Sequence, residues 1–291
     1  MSQDTVDKRT ARAEGPVRTR QDRHGTPAGP AGRATSLHCL HAEWIRVRTM
    51  RSTLYVVLGT LVAGAALAAL NGSASGDEYA TMTAEDRAAF DPLAISTQGY
   101  ILAQVTLALL GGLVVTAEYG SRTIVATLTA VPRRGRVLAA KAAVLTAIAL
   151  PTGVATTFGA FLVGRAALQG AGAPHHALTD PEAWRAVLGG GLYLALAALL
   201  GLAAGTLIRS TTATVTTLFT AMLIVPALAP ALPGPLADGT AKYWPPSAGG
   251  RILTGYRDPD LLTPWPGLAV MAGCVVLLLT AAFLTFRGRD A

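Results

Sequence analysis

Charge is what this sequence is short of. Acidic and basic side chains make up 14% of its 291 residues, against about 25% in soluble globular proteins. The shortage is uneven. Six apolar runs, at about 53–70, 98–117, 140–164, 186–208, 211–232 and 267–286, hold no acid, base or histidine between their ends, Lys141 standing at the edge of the third. Each is long enough to cross roughly 30 Å of hydrocarbon as helix. No stretch of domain size remains to form a water-soluble core. The expected fold is therefore all-α: a polytopic membrane protein of six transmembrane helices with both termini cytoplasmic.

Other absences narrow the function. There are two cysteines, Cys39 and Cys274, too few and too far apart in setting for a disulfide framework. No GxxxxGK[ST] phosphate loop occurs, so this chain holds no ATP, and no HExxH or G-x-S-x-G marks a common hydrolase. No nucleophile–base set is visible, and none of the catalytic, cofactor or metal classes gains a candidate set. His38, Cys39 and His41 lack a matching second group of ligands, and His175-His176 reads as a solvated loop pair. Ion-coupled pumps normally bury a titratable group within the bilayer. The charge-free spans therefore weigh against a carrier that works alone.

What charge there is sits beside the ends of apolar runs. The net charge is +7, but this placement is that of topology signals rather than of a nucleic-acid surface. With the N-terminus inside, 18 of the 24 lysines and arginines fall on the inner side. The chain then divides into a disordered cytoplasmic tail, residues 1–36, rich in Arg, Gly and Pro, and a six-span membrane domain, 37–291. Residues 37–52 place Leu37, Leu40, Trp44 and Val47 on one helical stripe, as in a helix lying at the membrane interface. The outer loop 71–97 is acidic, with Thr83 and Asp86 spaced to open one short helix. Arg209-Ser210 forces a tight hairpin between spans four and five. Pro151, Pro226 and Pro230 should kink or end their helices. The glycines at 111–112, 189–191, 201 and 205 permit close helix packing.

Two constellations remain. Thr212, Thr216 and Thr220 share one face of span five, as a polar wall of a path or a helix contact; the plainer reading has each hydroxyl bonded to its own backbone. The other is the charged interruption Glu118–Lys141, EYGSRTIVATLTAVPRRGRVLAAK. Glu118, where span two ends, calls for a cation, and Arg136 and Lys141 are within reach as the chain doubles back. Ser121 to Ala130 forms a short amphipathic piece with Ile124 and Leu128 on one stripe, followed by Pro132 and the basic Arg133, Arg134 and Arg136. That surface fits a groove with an apolar floor and acidic rim on a soluble partner. An ordinary positive-inside loop is the plainer alternative.

In order and spacing the sequence resembles the permease subunits of ABC-2 type transporters, in particular the small bacterial six-helix exporters. The resemblance is carried by E-W-I-R-x-R-x-x-R-S (Glu43–Ser52), by E-Y-x-x-R-T-I-x-x-T-L-x-x-x-P-R-R-x-R-x-L-x-x-K (Glu118–Lys141) and by Y-W-P-P-S-A-G (Tyr243–Gly249) before span six. It covers about residues 37–291. It implies a dimer with a second permease copy or paralogue in a bacterial plasma membrane, driven by separate ATPase subunits that hold ATP and Mg. The segment Ser121–Ala130 would be the coupling helix, with Glu118, Pro132, Arg133 and Lys141 at family-like positions. The implied cargo is an amphiphile such as a drug, antibiotic, peptide or lipid-like molecule. The rival expectations are an ion-coupled or facilitative carrier acting alone and a non-transporting membrane anchor.

Overall fold

A computed structural model describes residues 36–49, 51–120, 134–255 and 258–288. Among them there is no strand, and six helices are long and apolar enough to cross a membrane. The protein is an all-α, multi-pass membrane protein. The spans are Arg51–Tyr79, Tyr100–Gly120, Arg134–Gly170, Pro181–Ile208, Thr211–Ala231 and Pro264–Gly288, numbered one to six. A shorter helix, α1 (Ser36–Thr49), precedes span one.

Span four is the axis of the bundle. In its membrane-length stretch 78% of residues are buried, against 17% for span one and 22% for span five. Small residues make this possible. A methyl group on Gly111 of span two would strike the Ala198 carbonyl oxygen of span four, and one on Gly201 would strike the Ala108 carbonyl. The two backbones touch, so dispersion contacts and close helix approach replace the hydrophobic drive that lipid does not supply. Tyr193, Leu194 and Leu202 of span four complete this core against Leu107 of span two and Met271 of span six.

The helices outrun the apolar runs that announce them. Span one continues through Asn71–Tyr79, part of the expected outer loop, because Gly64, Ala68, Gly72 and Gly76 are buried at four-residue intervals. A methyl on Gly72 would approach the Gly164 carbonyl of span three to 2.8 Å. The small residues that look like loop composition are a packing seam. Span three likewise runs from Arg134 to Gly170, 37 residues. Its Pro151 lies inside the helix and does not end it. Pro226 and Pro230 do interrupt span five, which passes from α-helix to a π-turn at Thr220–Ile224 and closes in a 3-10 turn.

Contacts between connections define two faces. On one, α1 docks mainly on span three, and Arg209 lies over the Tyr119 ring at 5.3 Å. Arg209 takes the left-handed conformation, φ 59°, and Ser210 caps the next helix, giving the expected hairpin. We call this the basic face. On the opposite, far face, Thr83 caps a one-turn helix at Ala84–Ala88, as its spacing with Asp86 predicts. Asp91 accepts from the Gly255 amide at 2.8 Å, and the Arg185 guanidinium donates to the Thr254 carbonyl at 2.8 Å. The later part of the proline-rich segment before span six, Pro246 to Leu253, is folded into the body, whereas the helix Gly234–Tyr243 buries no residue. Ile252 and Leu253 are fully buried against Gly189 and Gly190 of span four.

Candidate functional site

Three ionisable side chains from separate segments meet at the basic face. Lys141 Nζ lies 2.6 Å from Glu118 Oε1 and 2.8 Å from Glu43 Oε1. The lysine and Glu118 side chains are 3% and 1% exposed, and Glu43 is 11% exposed. Each position follows from its helix. Glu118 is in the last turn of span two, where the negative end of the helix disfavours a carboxylate unless a cation answers it. Lys141 is two turns into span three, which returns antiparallel beside span two. Glu43 comes from α1, whose inward residues are Leu40, Glu43 and Val47. Trp44, expected on the membrane-facing stripe with Leu40 and Val47, is exposed, while those two turn toward the protein.

Buried charges are stable only when paired at good geometry, and breaking such a pair costs more than the pair contributes. The lysine therefore fastens α1, the end of span two and the start of span three to one another. The space beside it, lined by Val47, Leu110, Val114 and Leu145, holds about 10 Å³. That is a water's worth at most. The cluster is a joint, not a ligand pocket. It also corrects the view that buried ionisable groups are lacking: the spans are charge-free at their centres, but carry a dry ion cluster at one end.

Of the other expected coupling residues, Ser121, Ile124, Leu128, Pro132 and Arg133 lie outside the described residues. The helix of span three begins at Arg134, and Arg136 is half-buried in its first turn. The expected partner of Glu118 was Arg136 or Lys141; the geometry pairs it with Lys141.

The threonine stripe stands apart from this joint. Thr212, Thr216 and Thr220 are all exposed, while Thr214, Leu218 and Met222 on the opposite side of span five are buried. The stripe lines nothing within one chain and faces lipid or another molecule. At the far face His176 Nδ1 is 3.2 Å from Asp180 Oδ2, which also accepts from the Ala177 amide, a local turn. Among the described residues, no three histidine, cysteine or carboxylate side chains converge as a metal site.

A second polar cluster has little signal in the sequence. Pro226 has no N–H, so the carbonyls of Ala221 and Met222, five and four residues back, lose a helical donor. Side chains replace it. Trp244 Nε1 donates to the Ala221 carbonyl at 2.7 Å, and Gln104 Nε2 to the Met222 carbonyl at 3.4 Å. Gln104 is itself held, because its Oε1 accepts from the Tyr193 hydroxyl. A break within a membrane is tolerated when its freed groups are answered in this way. The sequence offers Pro226 and a single buried glutamine as clues, but not their pairing.

No protein-family model and no curated protein matches this chain.

Proposed function

We propose that this chain is the membrane permease subunit of an ATP-binding-cassette exporter of the ABC-2 type, moving an amphiphilic cargo across a bacterial plasma membrane. The observation that carries the reading is the Lys141 joint. The segment 121–133 leaves span two and enters span three within a few residues of a dry, three-way ion cluster that also fastens α1. A push on that segment is thereby applied to two spans and an interfacial helix together, rather than lost in a loose loop. The positive charge in and around the segment supports a cytoplasmic basic face.

In this reading the chain does no covalent chemistry and holds no cofactor. ATP and Mg belong to a separate cassette subunit, which docks through Ile124, Leu128 and Arg133. Nucleotide binding there shifts a permease dimer between two states that differ in affinity for cargo. The test is purification from the native host in mild detergent, with mass spectrometry of what accompanies the chain and an ATPase assay. A stoichiometric partner with a phosphate loop and turnover is the expected outcome. A chain that stays alone in both native membranes and detergent overturns the proposal.

One observation favours a second reading, an ion-coupled carrier acting alone. The same cluster places two carboxylates on one ammonium in a dry site, the kind of group that relays protons in pumps. Uptake or export by the purified chain in vesicles, driven by a pH gradient without ATP and lost in Glu118→Gln, is its signature.

A further inference from the structure

Toward the far face, a cavity of about 430 Å³ opens between span two, the interrupted part of span five and the helix Pro245–Gly250. We propose that this cavity binds an amphiphile with an anionic head, seated on Arg251 and the Tyr100 hydroxyl, its apolar body against Leu223, Pro226 and Ala227. Ligand sites are typically concave, about 300–1,000 Å³, mostly apolar, with a few placed polar groups. This one has that make-up.

The polar groups lie at two levels. Gln104 and Tyr193 are committed to one another and to the Met222 carbonyl, so they fix the floor. Tyr193 also stands edge-on to the Tyr100 ring, centroids 5.8 Å apart, which holds that ring upright. Tyr100, Ser247 and Arg251 form the rim. Gly250 leaves the rim open: a methyl there would lie 3.2 Å from the Tyr100 hydroxyl oxygen. Among the described residues that line the cavity, Arg251 carries the one full charge, and it is positive. A guanidinium presents several donors in a fixed fork, and it favours carboxylate or phosphate oxygens over a neutral hydroxyl. The opposite wall is apolar, formed by Leu223, Pro226 and Ala227 where span five passes through its π-turn and the following proline.

The site itself stands on this geometry. That its occupant is cargo rather than a resident bilayer lipid rests on the export reading. The test uses the full chain in phosphatidylcholine nanodiscs with a diazirine-bearing fatty acid, adducts being mapped by peptide mass spectrometry. Adducts are expected on the peptides holding Leu223–Ala227 and Ser247–Thr254, competed by unlabelled fatty acid. Labelling there falls at least about fivefold in Arg251→Gln, the scale of one lost charge-assisted contact. It is retained in Arg251→Lys and lost in Ala227→Trp, which crowds the cavity from its apolar wall and leaves the cation in place. Equal labelling by the matching diazirine alcohol overturns the anionic head. Adducts confined to the exposed Val276 and Leu277 overturn the site. With a co-purified ATPase present, label lost on adding ATP identifies cargo, and label that persists identifies lipid. Absence of any ATPase removes the export reading and leaves the mapping to decide the site.

Discussion

Lys141 is a positive charge held between two carboxylates, with its own side chain and that of Glu118 almost fully buried. Truncating it removes the cation that the two carboxylates share, so Lys141→Met should destabilise the protein by about 3–5 kcal/mol. Thermal unfolding in detergent measures this. Pairing Lys141→Met with Glu118→Gln and Glu43→Gln should recover most of the loss, since no stranded charge remains. Coupling to a partner ATPase should stay impaired in that triple variant if the joint transmits force. Part of this cluster was legible in the sequence. Glu118 sits at the end of an apolar run and its need for a cation follows from burial and helix polarity. Glu43 was not legible as a member, because nearly a hundred residues separate it from Lys141. Only the docking of α1 on span three brings them together.

At the scale of elements, span five is the least regular helix and its repair comes from elsewhere. Gln104→Leu should leave the Met222 carbonyl without its donor and cost about 1–3 kcal/mol. In a Pro226→Ala background the same change should cost less, because the alanine supplies an N–H to that stretch of helix. A double-mutant cycle on unfolding midpoints checks the coupling, and strict additivity refutes the pairing. The crossing of spans two and four tolerates no such repair. Gly201→Leu should prevent accumulation of folded protein in the membrane, whereas the same change at Gly273, which meets nothing within 4 Å, should be accepted. Element ends were the part the sequence misplaced. Hydropathy reports where hydrocarbon begins and ends, while a helix continues as long as its backbone bonds and small-residue seams persist. Residues Asn71–Tyr79 and Arg165–Gly170 are helical for that reason.

For the whole molecule, the surfaces left uncovered are as informative as the core. Thr212, Thr216 and Thr220 share an exposed face of the sparsely covered span five. If that face meets a second copy, Thr216→Cys in a background lacking Cys39 and Cys274 should give a disulfide-linked dimer in native membranes on mild oxidation. A monomer on a non-reducing gel, with the thiol still open to a lipid-soluble maleimide, places the stripe against lipid. Fold class and number of spans were plain from the spacing of apolar runs, because length against bilayer thickness is a strong constraint. The far-face assembly was not, since proline-rich composition reads as loop until Ile252 and Leu253 are seen to fill the space that Gly189 and Gly190 leave.

Span three has 37 residues, and a helix of that number is about 55 Å long. It touches span four closely near its middle, where a methyl on Gly153 would come within 3.0 Å of the Gly191 carbonyl. Near one end sits Lys141, and toward the other Gly164 lies against the Ser96 backbone. That is the layout of a seesaw. If span three tilted as one body about that contact, an inward displacement at one end would be an outward displacement at the other. Such a tilt would move the two faces in opposite directions, and distances between spin labels at the two ends of the helix would read it.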